Sequence, residues 1–232
     1  MSLDVRGEII KLARELALEP GDLDFLEGAE RDDVHRLRVA IEDALDGRNR
    51  GIYRRIEASS RLLPPAIAVR IARASFPPLI VGRVSEEIPA DRSPKFLEHM
   101  PMSYMGELLV HMNPRRMVAT IQAMPATQMA PMIKELEKRG EYVTMGRFLG
   151  VLADAQIPKV LAVIDDGRTL LLAGFHTEDP ARLDNVVLAL SDTQVAAIRE
   201  AVAAHGLERE LGTILDALSP ELRERLESNG AG

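Results

Sequence analysis

The sequence contains no cysteine and no tryptophan, and aromatic residues make up only 3% of its 232 residues. The missing cysteines exclude disulfides, thiolate metal sites and cysteine nucleophiles. The scarcity of aromatic residues argues against a β-sandwich with aromatic-rich strands. Leucine, alanine, glutamate and arginine dominate instead, and all four are strong helix formers. The composition therefore predicts an all-α protein.

Excess positive charge and long apolar runs are also missing. The formal net charge is −7, so we expect no general attraction to nucleic acid or to anionic membranes. Residues 1–20 carry four acidic residues among the apolar ones, which does not fit a secretory signal. No segment approaches the roughly 18–20 apolar residues that a membrane-spanning helix needs. We therefore expect a soluble, cytoplasmic protein without a membrane span.

Proline recurs at a nearly constant spacing from about position 64 onward. In residues 98–125, EHMPMSYMGELLVHMNPRRMVATIQAMP, the methionines Met100, Met112 and Met124 are twelve residues apart, and a proline follows each within two positions. Proline breaks a helix interior but is favoured at the first helical position. Good capping residues precede it at Ser93-Pro94, Asn113-Pro114, Asp179-Pro180 and Ser219-Pro220. The pattern predicts short helices joined by tight turns, with the methionines in the core.

A longer repeat is superimposed on this rhythm. Residues 82–100 match 146–164 at an offset of 64, and residues 114–140 match 180–206 at an offset of 66. The identities include Gly-Arg at 82–83 and 146–147, and a third copy begins at Leu211-Gly212. Repeats that cannot bury their own apolar face stack into a solenoid. We therefore predict an α-solenoid over residues 62–232, with its internal repeat at about 82–140 and 146–206.

Residues 1–61 do not share the proline rhythm. They contain an early amphipathic helix and a second predicted helix over Asp32–Asp46. Asp46-Gly47 and the glycine at Gly51 then predict a break before another helix begins near Ile52. We interpret 1–61 as an N-terminal helical cap of the solenoid, with an independent small domain as the alternative.

The proline-punctuated helices, written hhx(L/M)(x)P, are clearest at LLPPAIAVRIARASFPP and at EHMP…HMNP…AMP. From about Arg61 to Leu226 they resemble the cytosolic N-terminal domain of MgtE-type magnesium transporters. They are also similar to the middle domain of the flagellar motor-switch protein FliG. The resemblance implies a right-handed superhelix of short helices and, from the transporters, a regulatory domain that moves with the magnesium level. It carries over no individual site residue.

Acidic residues are the candidates for a magnesium site. Glu86 with Glu87, and Asp165 with Asp166, are among the densest acidic groups. Magnesium binds oxygen ligands and often keeps several waters, so one or two carboxylates suffice. Solvated helix ends and capping turns explain the same residues without a metal. His176 precedes Glu178 and Asp179, and we predict it in a polar turn at a helix start.

The most polarised segment lies between Glu57 and Glu86, which contains no acidic residue. Its arginines are Arg61, Arg70, Arg73 and Arg83. Arginine suits an acidic protein partner or a phosphate, and a solvated face is the alternative. Nucleic acid is not expected, because the aromatic side chains of a base-stacking platform are missing.

No phosphate loop, HExxH, G-x-S-x-G or dinucleotide fingerprint is present. We therefore predict a non-enzymatic regulatory or scaffold module that binds a protein partner and responds to Mg2+. The alternative is a metal-independent helical adaptor of the FliG type, and the outsider is an enzyme using carboxylate chemistry. The partner, the cellular process and the oligomeric state are left open by the sequence.

Overall fold

The computed structural model describes residues 4–227, and within them the chain is helical with no β-strand. The helices are α1 Arg6–Leu16, α2 Arg31–Ser60, α3 Pro65–Ser75, α4 Pro78–Ser85, α5 Ser93–Leu97, α6 Met102–His111, α7 Val118–Ala123, α8 Ala126–Arg139, α9 Tyr142–Leu149, α10 Ile157–Leu161, α11 Gly167–Phe175, α12 Leu183–Leu188, α13 Asp192–His205, α14 Glu208–Ala217 and α15 Pro220–Glu227. Short 3₁₀ turns cover Pro20–Leu26, Pro114–Arg116, Asp154–Gln156 and Pro180–Arg182. The all-α prediction is confirmed for these residues, and none of their helices is long and apolar enough to cross a membrane.

Prolines mark many of the helix starts. Pro65 and Pro78 are the first residues of α3 and α4, while Pro101 and Pro125 occupy the capping positions before α6 and α8. A residue locked near helical φ and lacking a backbone donor is well suited to a position where the helix has no acceptor for that donor. Each start is thus fixed locally, before any tertiary contact forms.

The helix bounds recur at the offsets of the sequence repeat. Helices α9 and α10 have the bounds of α4 and α5 at the offset of 64, and α13 has those of α8 at the offset of 66. The two 3₁₀ turns begin at Pro114 and Pro180 and are capped alike, because Asn113 and Asp179 each accept a hydrogen bond from the backbone N–H two residues later. Helix α14 begins at the offset of 66 from the start of α9, so the third copy starts with the same element.

The repeat helices pack on near neighbours in the chain. One series of contacts runs α4–α6–α8–α9–α11–α13, and a second runs α8–α10–α12–α15. One continuous apolar cluster extends through them from Val81 to Leu226. Such local contacts let each unit bury the face that its neighbour leaves open.

The repeated glycine allows two of these helix pairs to approach closely. On α9, a Cβ at Gly146 would lie 2.5 Å from the backbone oxygen of Ala173 on α11. On α4, a Cβ at Gly82 would lie 3.2 Å from the backbone oxygen of Leu108 on α6. The identity that the sequence repeat shows at this position therefore has a packing reason in both copies.

Helix α2 corrects one sequence prediction. It runs unbroken over Arg31–Ser60, so the predicted break at Asp46–Gly51 is wrong. Gly47 and Gly51 lie on an open side, where an added Cβ would meet nothing within 4 Å, and each costs the helix only about 1 kcal/mol. The opposite side carries buried charged residues, among them Glu42 and Glu57, whose contacts with the rest of the chain keep the helix continuous.

The N-terminal helices lie along the repeats. Helices α1 and α2 share a small apolar core, α2 packs on α4, and Gly7 on α1 approaches the Phe175 ring on α11. At the far end, Arg209 on α14 donates to Asp4 at 2.5 Å. Residues 4–60 therefore contact both copies and the third, whereas an end cap would contact only one terminal copy.

Candidate functional site

Twelve charged side chains meet between the N-terminal helices and the repeats. The six carboxylates are Glu8, Glu15, Glu42, Asp46, Glu86 and Glu178, and the six cations are Lys11, Arg38, Arg83, Arg115, Arg116 and Arg147. We call this set the interface network. Arg31 also approaches Glu8, to 3.6 Å. The cations and carboxylates are nearly equal in number, as the burial of so many ions requires.

Arg38 on α2 lies at the centre of the interface network and is fully buried. Its Nε, Nη1 and Nη2 donate to Glu8, Glu42 and Glu178 at 2.9, 2.5 and 2.6 Å. Burial disfavours the charged guanidinium, but the three carboxylates more than offset this and hold the pKa of Arg38 above its usual range. One side chain thereby ties α1 and α2 to the segment after α11.

The arginine of the second repeat copy continues the interface network. Arg147 on α9 donates from Nη1 to Glu15 at 2.7 Å, from Nη2 to Glu42 at 3.0 Å and from Nε to Glu178 at 3.1 Å. A guanidinium supplies these three directions from one planar group, which lysine does not. The repeat arginine therefore holds α1 and α2 against α9.

The equivalent arginine of the first copy does the same for α4. Arg83 lies 3.3 Å from Asp46 and 3.7 Å from Glu15, and it donates to Glu86 at 3.0 Å. Only 11% of its side chain is exposed. Arg83 therefore serves an internal contact, and we remove it from the predicted partner-binding arginines.

Glu86 and Glu87, the first pair of predicted magnesium ligands, already accept hydrogen bonds from other parts of the chain. Glu86 accepts the backbone N–H of Asn113 at 2.7 Å, and burial raises the pKa of this carboxyl. Glu87 accepts from Nε of Arg50 at 2.7 Å and from Nε of Arg54 at 3.0 Å. Glu87 thus fastens α2 to the end of α4, and Glu86 fastens the segment after α6 there.

The second pair divides between solvent and a helix cap. Asp165 is exposed, and Lys134 approaches it to 3.7 Å. Asp166 caps α11 by accepting from the backbone N–H and the hydroxyl of Thr169 at 2.8 and 2.6 Å. Burial raises the pKa of Asp166, but these hydrogen bonds more than offset it, so the pKa is lowered. Within residues 4–227, no three His, Asp or Glu side chains are grouped to hold a metal ion, and magnesium binding stays a prediction.

His176 overturns its predicted environment. It follows the end of α11 and is 6% exposed, so the prediction of a polar turn at a helix start is wrong. Burial, and then the positive charges of Lys11 and Arg14, lower the pKa of His176 to about 3. It is a neutral part of the interior at physiological pH.

Helix α3 presents an exposed apolar surface. Only Ala68 and Val69 of this helix are buried. Ile67 and Ile71 are four residues apart on another side of the helix and are exposed, as is Leu63 in the turn before it. The full exposed set along residues 62–79 is Leu62, Leu63, Ile67, Ile71, Phe76 and Leu79, which we call the α3 face. Large apolar side chains exposed this densely along one short segment favour an interaction site over singly scattered surface residues.

The charges beside the α3 face are positive. Arg70 and Arg73 lie on α3, and within residues 4–227 neither has a carboxylate within salt-bridge distance. The Arg73 guanidinium instead lies 5.4 Å from the centre of the Tyr104 ring. Arg61, just before the helix, pairs with Glu57. Two of the four predicted arginines therefore flank the apolar surface with unneutralised charge.

Only part of this arrangement has a signal in the sequence. The apolar residues of the α3 face are evident in the sequence, but their spacing fits a buried side of a helix equally well. The contacts that join the interface network across the fold have no local signal, because Arg38 and Glu178 are 140 residues apart.

In the comparisons with known proteins, no family model, no curated protein and no solved structure matches this chain. The resemblance to the MgtE and FliG domains therefore stays a prediction from the proline-punctuated motifs.

Proposed function

We propose that this chain is a non-enzymatic binding module, a right-handed superhelix of short helices that captures a protein partner on the α3 face. The partner segment presents apolar side chains together with Asp or Glu. The α3 face is the observation that carries the proposal, because six large apolar side chains are exposed there between Leu62 and Leu79.

The chemistry of the surface defines the partner segment. Ile67 and Ile71 on α3, together with Leu63 just before it, expose apolar side chains that suit the apolar side of a second helix. Arg70 and Arg73 add two positive charges, and complementary acidic residues on the partner would fix its orientation and speed its association. The partner is therefore an amphipathic, acidic segment.

The superhelical part of the proposal draws on the repeat. Helix bounds that recur at fixed offsets, with contacts passing from each helix to the next, are typical of solenoids. The right hand and the regulatory role come from the resemblance to the MgtE and FliG domains. Of these, the magnesium transporter supplies the expectation of a response to Mg2+, and the flagellar domain supplies the metal-independent alternative.

The state of the buried acids supports binding over turnover. Glu8, Glu42 and Glu178 are among the most enclosed carboxylates, and each accepts hydrogen bonds from at least two cationic side chains. Charge-assisted hydrogen bonds of this kind fix the orientation of the groups that they join. The proposal accordingly places function on the surface of the chain.

A site-specific crosslinking experiment tests the proposal. A photoreactive residue replaces Ile67 on the α3 face or, as the matched control, Glu200 on the exposed side of α13. We expect an adduct in the cells of origin from position 67 and none from position 200. The crosslinked segment is then synthesised, and its affinity is measured against the full chain and against R70E/R73E. We expect at least a tenfold loss in the variant, and recovery with a peptide whose acids are replaced by lysine.

Three outcomes would contradict the proposal. These are equal adducts from both positions, a second copy of the chain as the sole adduct, or peptide binding that ignores the charge reversal. Repeating the binding with magnesium and with a chelator separates the two versions of the proposal. A magnesium-dependent affinity favours the regulatory module, and an unchanged affinity favours the adaptor.

A further inference from the structure

The interior of the repeats contains an apolar cavity of about 150 Å³. Eight of the ten methionines in the sequence line it, together with leucine, isoleucine, valine and phenylalanine. Among the residues that the structure describes, no charged side chain contributes to the wall. A cavity of this size with apolar walls stays dry and accepts a small apolar molecule such as benzene.

Residues that line the cavity come from helices along the whole stack of repeats. The wall begins with Phe96 on α5, includes Met129 on α8 and Leu171 on α11, and reaches Leu226 on α15. These helices belong to the stack of repeats and succeed one another along the chain. A modest volume distributed along so many helices fits a narrow chain better than a compact ring.

One end of the wall is polar. Ser85 and Ser93 line the wall at the α4–α5 end, and the Ser85 hydroxyl donates to the backbone oxygen of Val81 at 2.8 Å. The guanidinium of Arg92 lies 5.6 Å from the centre of the Phe96 ring, which lines the same end. Arg92 also donates to Glu57 at 3.0 Å. Two serines and the cation of Arg92 therefore lie at one end of an otherwise apolar cavity.

We infer that the cavity binds a medium-chain fatty acid, with the alkyl chain among the methionines and the carboxylate at the Ser85, Ser93 and Arg92 end. The carboxylate stays outside the apolar wall, where Arg92 supplies a charge-assisted hydrogen bond. This inference does not depend on the proposed function, since the α3 face is not part of the cavity wall.

Methionine makes the wall adaptable. Its unbranched thioether side chain has three rotatable bonds and repacks around ligands of different shape. Met100, Met117 and Met124 line the cavity and are also partly exposed. Movement of these flexible side chains offers a ligand a route into the cavity.

Octanoic acid is the probe for the test, with the full chain labelled on its methionine ε-methyl groups for NMR. We expect saturable shifts of the methyl groups that line the cavity, whereas Met102, which is outside the wall, stays unchanged. M124F narrows the cavity and should weaken octanoate at least tenfold, with M102F as the matched control. R92Q should weaken octanoate several-fold and leave 1-octanol unaffected.

Several results would overturn the inference. These are no saturable shift up to the solubility limit, a Met102 shift as large as the others, or the same affinity in M124F and M102F. If M124F does not fold, the methyl shifts of the wild-type chain still decide whether the cavity is occupied. Equal loss of octanoate and 1-octanol binding in R92Q would overturn the placement of the carboxylate.

Discussion

The contact between the N-terminal helices and the repeats is made by paired charges, whereas the contacts among the repeat helices are made by apolar side chains, many of them methionine. Each charged group in the first region has fixed directions and named partners. In the second region, the apolar side chains need only fill the space between the helices. The difference separates a contact that specifies one arrangement from one that tolerates several.

The two regions also differ in what a single loss does. A buried ion that loses its partner remains in a poorly solvating environment, and this penalty exceeds the value of the pair itself. A core methionine that is replaced leaves neighbours that relax into part of the space. Mutations in the interface network should therefore be the more severe ones.

The largest effect is expected for R38M. The variant leaves Glu8, Glu42 and Glu178 without their shared cation, and we expect the free energy of unfolding to fall by about 3–5 kcal/mol. Urea unfolding measures this, with R36M on the exposed side of α2 as the control. A loss in R38M no greater than in R36M would show that the charges do not hold the contact.

Conservative changes sharpen the comparison. R147K keeps the charge but loses the guanidinium directions toward Glu15, Glu42 and Glu178, and we expect a loss of about 1.5–3 kcal/mol. M129L in the apolar interior keeps the volume and should lose less than about 1.5 kcal/mol. Urea unfolding of both variants measures the two losses. A larger loss in M129L than in R147K would contradict the distinction between the two regions.

Acid should weaken the charged region selectively. Burial raises the pKa of Glu178, but Lys11, Arg38 and Arg147 more than offset it and lower the pKa in the folded state. The stabilisation is thus present above the unfolded-state pKa of about 4.3 and is lost as the pH falls through the folded-state value. We expect E178Q to lose about 1–3 kcal/mol at pH 7.

The pH profile distinguishes this effect from a simple structural loss. In unfolding experiments carried out from pH 7 to pH 3, the difference between E178Q and the wild type should stay constant down to about pH 5 and shrink below it. E208Q, which removes an exposed carboxylate from α14, serves as the control. A difference for E178Q that is constant over this range would contradict the assignment.

The smallest effect is expected on the open side of α2. G47A and G51A should each raise the free energy of unfolding by about 0.5–1 kcal/mol, because alanine favours a helix and finds free space there. Thermal unfolding measures the gain. G146A has the opposite expectation, since its Cβ would meet the backbone of α11. A loss in G47A would mean that the open side has a contact of its own.

Local signals predicted the elements of this fold well. The prolines at Pro65 and Pro78 fix where helices begin, and the repeat offsets anticipate the bounds of α9, α10 and α13. These features depend on residues that are near in sequence, so they can be predicted from the sequence. The predicted break in α2 was wrong because the glycine signal is local, whereas the contacts of Glu42 and the other buried charges are long-range.

The site was predicted less well for the same reason. Arg83 and Arg70 look alike in a segment without acids, but only tertiary structure shows that Arg83 meets Asp46 while Arg70 stays at the surface. Charge counted along the chain does not reveal which ions are matched in space. The apolar cavity was equally hidden, since a methionine that lines a void has the same sequence pattern as one that fills a core.

The contact between Lys11 and the backbone oxygen of Thr177 joins residues that are 166 positions apart. The ribosome completes α1 and α2 long before it makes Arg147 or Glu178, and domains begin to fold from their N-terminal side during synthesis. The charged side chains of α1 and α2 therefore stay hydrated until their partners in the repeats have been synthesised. The residues of α1 are therefore made well before several of the residues that they finally contact.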